Sequence, residues 1–119
     1  MAYVDGFVIP VAKGKLAAYR RLARRTDRIW REHGALHCVE CIAEDVRPGK
    51  LTSFPQAVKL KPGEVVVFSY IVYKSRRERD RINKLVMADP RLQCADEPGG
   101  MPFDVGRMFS GGFKPIVEL

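Results

Sequence analysis

The chain has 119 residues, 46% hydrophobic and 29% charged, a size and balance that fit one globular domain over residues 1–119 and exclude a disordered chain. No apolar run approaches the roughly 20 residues a membrane span needs, and no basic residue precedes the first apolar run, so a cytoplasmic location is expected. Lys and Arg number 21 against 14 Asp and Glu, a net charge of +7, and the three cysteines of a chain with no export signal are expected to be reduced thiols.

In chain order, "YVDGFVIPV" is rich in β-branched and aromatic residues and stops at Lys13-Gly14-Lys15, which predicts a first strand. From Leu16 the apolar positions Leu16, Tyr19, Ala23, Thr26, Trp30 and His33 recur every three or four residues, with Leu22 and Ile29 widening the stripe. That is a long amphipathic helix, and Gly34 suits the left-handed residue that ends one. "ALHCVECIAE" follows as a strand.

The run His33 to Cys41, "HGALHCVEC", holds both histidines and two of the three cysteines. On a strand Cys38 and Cys41 fall on opposite faces, about 10 Å apart along it, and therefore share neither a metal nor a disulfide. His37 falls on the Cys41 side while His33 lies across the helix end, so no tetrahedral ligand set forms and no metal is expected.

Residues 45–63 lack periodicity and are bracketed by "RPGK" and "KPGE", each predicting a type II turn. "LTSFPQAVKL" between them is expected to be an extended arm. A long connection of this kind usually covers a site or a partner. "EVVVFSYIVY" is apolar on both parities, which predicts a strand buried on both faces. Ser75 and Glu78 then form a capping box for a second helix with Ile82, Leu85 and Val86 on its inner side, ending near Asp89-Pro90. After the Gly/Pro-rich "CADEPGGMPFD", "RMFSGGFKPIVEL" reads as a last strand, placed at an edge by Pro115.

Strand, helix, strand, strand, helix, strand gives an α+β, ferredoxin-like plan: a four-stranded antiparallel sheet with two helices on one face. Strands one and three, central in that plan, are apolar on both faces. Leaving the second face in water forfeits about 25 cal/mol per Å² of apolar area, so the same face of a second subunit is expected to cover it, giving a homodimer.

Taken together, "YVDGFVIPV", "HGALHCVEC", "TSFPQAV", "VVFSYIVYKSRRERDRINKLVMADPR", "MPFD" and "RMFSGGF" resemble the YbaA-like bacterial proteins, a family of unknown function in the dimeric α/β-barrel superfamily. The resemblance spans the whole chain. It implies a dimer and a pocket between sheet and helices, and it carries no reaction with it, because fold does not fix function.

The positive charge is concentrated in "KGKLAAYRRLARRTDRIWR" and "KSRRERDR", both on predicted helices, where a solvated face with pairs such as Asp27 and Arg31 accounts for it. The third strand lacks the Lys/Arg-Gly-aromatic signature of a ferredoxin-like RNA-binding module, so no specific nucleic-acid binding is expected. "PGGMP" and "SGGF" lack the spacing of a phosphate cradle, and no cofactor is expected.

Asp5 is the sharpest chemical candidate, because a carboxylate in a central apolar strand must be paired, hydrated or held neutral. Its alternatives are pairing with Arg107 on the neighbouring strand, or catalysis beside Tyr70 if both point toward the helices. His37, Ser69 and Glu40 are further candidates for acid, base or ligand, and Trp30 and Phe103 for the pocket wall. Two functional readings follow: a cofactor-independent oxygenase- or isomerase-like enzyme, or a noncatalytic ligand-binding or stress-related structural protein.

Overall fold

The computed structural model describes residues 1–93 and 99–119, and Cys94 lies outside the described residues. The elements in order are β1 (Tyr3–Ala12), a 3-10 turn (Lys13–Lys15), α1 (Leu16–Glu32), β2 (His37–Ile42), α2 (Phe54–Ala57), β3 (Glu64–Tyr73), α3 (Arg76–Met87), α4 (Pro90–Gln93), a second 3-10 turn (Val105–Arg107) and β4 (Phe109–Phe113). The strands form one antiparallel sheet in the order β2-β3-β1-β4, with α1 and α3 together on one face. This is the ferredoxin-like plan expected from the element order, with β4 at an edge.

Strand periodicity sorts side chains between the faces. Asp5 stands opposite Ile71 and Ile9 opposite Val67, so odd residues of β1 and β3 face the helices, along with Cys38, Glu40 and Ile42 of β2. Two apolar clusters fill that side. Tyr3, Ile29, Ala35, Ile71, Tyr73, Ile82 and Val86 form one, and Ile9, Val11, Tyr19, Ala23 and Val67 the other. Leu85, expected inside, is exposed.

α1 ends where Gly34, at φ 121°, adopts a backbone that side-chain-bearing residues avoid. At the start of α3 the Ser75 hydroxyl accepts from the Glu78 backbone N–H at 3.1 Å, one half of the capping box, while the Glu78 carboxylate turns to Arg81.

The connection between β2 and β3 folds back over the other sheet face, where Val58 packs with Val8 and Val66 beside Ala43 and Leu60. It is no extended arm: Ser53 caps the single turn of α2, accepting from the Gln56 N–H. "KPGE" makes the expected turn, with Gly63 at φ 82° and Glu64 N–H donating to Lys61 O, but Gly49 of "RPGK" has no positive φ. Its N–H instead donates to Gln56 Oε1. The rest of this face stays uncovered, with Phe68, Phe109 and Phe113 exposed by 41%, 47% and 64%. The two-sided burial expected of β3 is therefore complete only at its start.

Candidate functional site

α1 runs across the sheet with Tyr19, Ala23 and Asp27 at four-residue spacing, one row of its inner side. Tyr19 and Ala23 are buried, whereas Asp27 reaches the edge of the core and meets Glu40 on β2. Tyr19 donates its hydroxyl to Glu40 Oε1 at 2.5 Å, and the Asp27 carboxyl is hydrogen-bonded to Glu40 as well. Two carboxyl groups can bond only by holding a proton between them. Burial, then the bond to Glu40 and its charge, push Asp27 up to about 8, so at neutral pH Asp27 carries that proton. Glu40 thus accepts from two donors, Tyr19 and Asp27. The same burial and charge raise the Tyr19 phenol, keeping it a donor.

These three residues stand between two cavities. An inner one of 360 Å³ lies between the sheet and the helices, walled by Phe7, Ile9, Trp30, Ile71, Phe103 and Met108. An outer cleft of 620 Å³ opens between α1 and β2, rimmed by Arg20, Arg24, Arg28 and Arg31. Tyr19, Asp27 and Glu40 line both. An apolar wall with a few convergent polar groups is the usual make-up of a small-molecule site.

Asp5 also lines the inner cavity, but its oxygens are occupied. Arg79 of α3 donates from Nε and Nη2 at 2.9–3.1 Å, and the Tyr73 hydroxyl donates at 2.9 Å. Asn83 joins the network, accepting from Trp30 Nε1 at 3.0 Å. The partner of Asp5 is thus Arg79 and not Arg107, because β1 presents Asp5 to α3. Arg107 instead makes a bidentate pair with Glu64 at 2.6 and 2.9 Å and donates to the Val58 and Lys59 carbonyls, tying down the connection before β3.

Tyr70 does not join Asp5, since it stands opposite Gly6 on the uncovered face, where it meets Phe68. His37 is on that face too, opposite Val72, and is exposed. Ser69 is buried on the helix side and lines the inner cavity. Of the residues singled out from the sequence, the fold brings together Asp5, Trp30, Phe103, Glu40 and Ser69 around the inner cavity, places His37 at the margin of the outer cleft and leaves Tyr70 and Arg107 outside both. Phe103 meets Tyr19 edge to face at 5.6 Å.

Cys38 and Cys41 are free thiols on opposite faces, as strand parity requires. Burial and then the nearby Asp27 charge push the Cys38 thiol up to about 12, so it is not a thiolate nucleophile. His33 is held by Asp89 at 2.9 Å, and among the described residues no three His, Cys, Asp or Glu side chains group as metal ligands.

Comparison with known proteins agrees with the motifs. The model of a family described as a protein of unknown function, DUF1428, matches residues 2–105. The chain is 48% identical over 118 residues, 99% of either chain, to the uncharacterised protein YbaA of Escherichia coli (strain K12), and to the same extent to YbaA of Shigella flexneri. Among solved structures it is similar to a dimeric ferredoxin-like protein from an uncultured marine organism, with a TM-score of 0.60 and 8% identity over 100% of both chains. An uncharacterised NIPSNAP domain protein from Burkholderia xenovorans gives a TM-score of 0.59 at 16% identity, over 95% of this chain and 93% of the other. At such identities the likeness is one of fold.

Proposed function

We propose, for a chain that belongs to the DUF1428 family of proteins of unknown function, that Asp27 and Glu40 move protons on a small molecule held between the sheet and the helices. The observation that carries this reading is the contact of two carboxyl groups, Asp27 and Glu40, on the lining of both cavities. Such a pair offers a base and an acid together at neutral pH. Glu40 takes a proton from a carbon beside a carbonyl as Asp27 gives its own to the carbonyl oxygen, yielding an enol with the two roles exchanged. Return of the proton from Glu40 to either face of that carbon, and of the enol proton to Asp27, restores the pair. No electrons change hands, so the arrangement favours isomerase-like over oxygenase-like chemistry and calls for no cofactor.

Trp30 and Phe103 wall the site, Asp5 fixes the Arg79–Tyr73–Asn83 frame behind it, and Tyr19 orients Glu40. The working unit in this reading is a cytoplasmic homodimer of one domain per chain, joined through the uncovered sheet face. Its exposed Phe68, Phe109 and Phe113 support this, as does likeness in fold to a protein described as dimeric. No helix among the described residues is long and apolar enough to cross a membrane.

Solvent deuterium exchange into enolisable oxo acids (oxaloacetate, acetoacetate, phenylpyruvate), followed by proton NMR, tests the reading. The protein accelerates exchange in at least one, and Asp27→Asn or Glu40→Gln lowers that rate by about a hundredfold. Rates equal to buffer across the panel, or unchanged in both variants, contradict it. Binding without exchange would favour the noncatalytic ligand-binding alternative.

A further inference from the structure

Arg20, Arg24 and Arg28 follow one another at four-residue spacing along α1, and all three line the outer cleft beside Arg31. Neighbours in such a row stand about 5–6 Å apart at Cβ, where like charges destabilise a helix. No carboxylate among the described residues pairs with Arg20, Arg24 or Arg28. Arg31 is turned to the carbonyls of Ala35 and Leu36; Glu32, the next position of the row, is taken by Arg91, and Asp27, beside the row, faces Glu40. The cleft therefore sets four guanidinium groups against a single negative charge, and that charge sits on the floor where the inner apolar cavity begins.

We infer that the molecule held at this site is a small organic anion: a carboxylate or phosphate head gripped by Arg20, Arg24 and Arg28, and an apolar body reaching past Asp27 and Glu40 toward Trp30 and Phe103. This names the substrate class of the acid–base reading above and rests on it. Guanidinium forks match carboxylate and phosphate oxygens in pairs, and bonds to charged acceptors are about twice as strong as neutral ones. The head fixes the register of the ligand. The atoms next to it then lie at the shared proton, and the apolar remainder enters a cavity walled by Phe7, Ile9, Trp30, Ile71, Phe103 and Met108. An extended polyanion such as RNA fits less well, because the row faces a cleft with a carboxylate on its floor.

The test is isothermal titration at about 0.15 M salt, where long-range attraction is screened, with phenyl phosphate and phenylacetate as anionic probes and 2-phenylethanol as the neutral one. The anions bind more tightly than the alcohol, and Arg24→Gln/Arg28→Gln weakens the anions by about tenfold or more while leaving the alcohol unchanged. Glutamine keeps the helix propensity of arginine, so the variant folds, and its melting curve checks this. Alcohol binding as tight as that of the anions, equal anion binding by wild type and double variant, or no anion binding at about 10 mM overturns the inference. Anion binding through the arginines with no proton exchange overturns the acid–base reading and leaves this one standing. Exchange on neutral ketones, indifferent to the arginines, does the reverse.

Discussion

Asp27 is the one acid in the run from Lys13 to Arg31, and a charge-pairing argument assigns it to Arg31 four residues on. The fold sends it to Glu40 instead, because Tyr19, Ala23 and Asp27 share the inner row of α1. Tyr19 and Ala23 were legible as that row; Asp27's place on it, and its partner on β2 thirteen residues later in sequence, were not. Since burial and Glu40 lift Asp27 from 3.8 to about 8, the folded chain keeps a proton that the unfolded chain releases across that interval. Stability from this group is full below the lower value and is lost as pH rises toward the upper, on the order of 1–3 kcal/mol in all, because solvent at the partly exposed edge of the core screens much of the ~6 kcal/mol that so large a displacement carries at full value. Melting temperatures of the wild type fall between pH 5 and 8, and those of Asp27→Asn stay level there. Asp89 and Glu64, both lowered by arginine partners, act with the opposite sign and only in acid. At Asp5, removing the charge leaves a half-buried Arg79 with only the exposed Asp80 as carboxylate partner, so Asp5→Asn costs about 3 kcal/mol, roughly 10 °C in melting temperature. An unchanged melting temperature would make Asp5 an acid free for chemistry.

The elements follow from local pattern where the pattern is strong. The stripe of α1, the Ser75 cap of α3 and the β-branched runs of β1 and β3 all appear in the fold within a residue or two of the sequence reading. Weak pattern misled in residues 45–63, where a one-turn helix replaces the expected arm because Ser53 and Gln56 satisfy backbone groups locally. Arg107 was taken for a neighbour of Asp5 because β4 adjoins β1, but it precedes the strand in a 3-10 turn and so reaches Glu64. Within β4 the glycines are not interchangeable. A Cβ on Gly112 would lie 2.8 Å from Tyr3 Cε2 and 2.9 Å from Arg79 Nη2, the guanidinium that holds Asp5. Gly112→Ala therefore lowers stability by about 2 kcal/mol in denaturant titration, whereas Gly111→Ala, whose Cβ comes no closer than 3.7 Å to Phe113, costs less. Equal losses would show that the crowding at Gly112 is relieved freely.

For the molecule as a whole, the sequence shows that β1 and β3 are apolar on both faces without showing what covers the second one. The β2–β3 connection covers part of it through Val58 and Leu60, and exposed aromatics remain across Phe54, Phe68, Phe109 and Phe113. Light scattering coupled to size exclusion is expected to give a dimer for the wild type and a monomer for Phe68→Asp/Phe113→Asp, since two buried charges facing their own copies across a two-fold axis repel. A wild-type monomer at micromolar concentration contradicts assembly through this face.

The shared proton is the premise on which the rest of the account depends, and carboxyl carbon-13 NMR reads it directly. In the wild type the Asp27 carboxyl is predicted to titrate near 8, and in Glu40→Gln to titrate lower while staying above the usual carboxylate range, because burial persists when the partner charge is gone. An Asp27 carboxyl that ionises near 4 in the wild type would contradict the account.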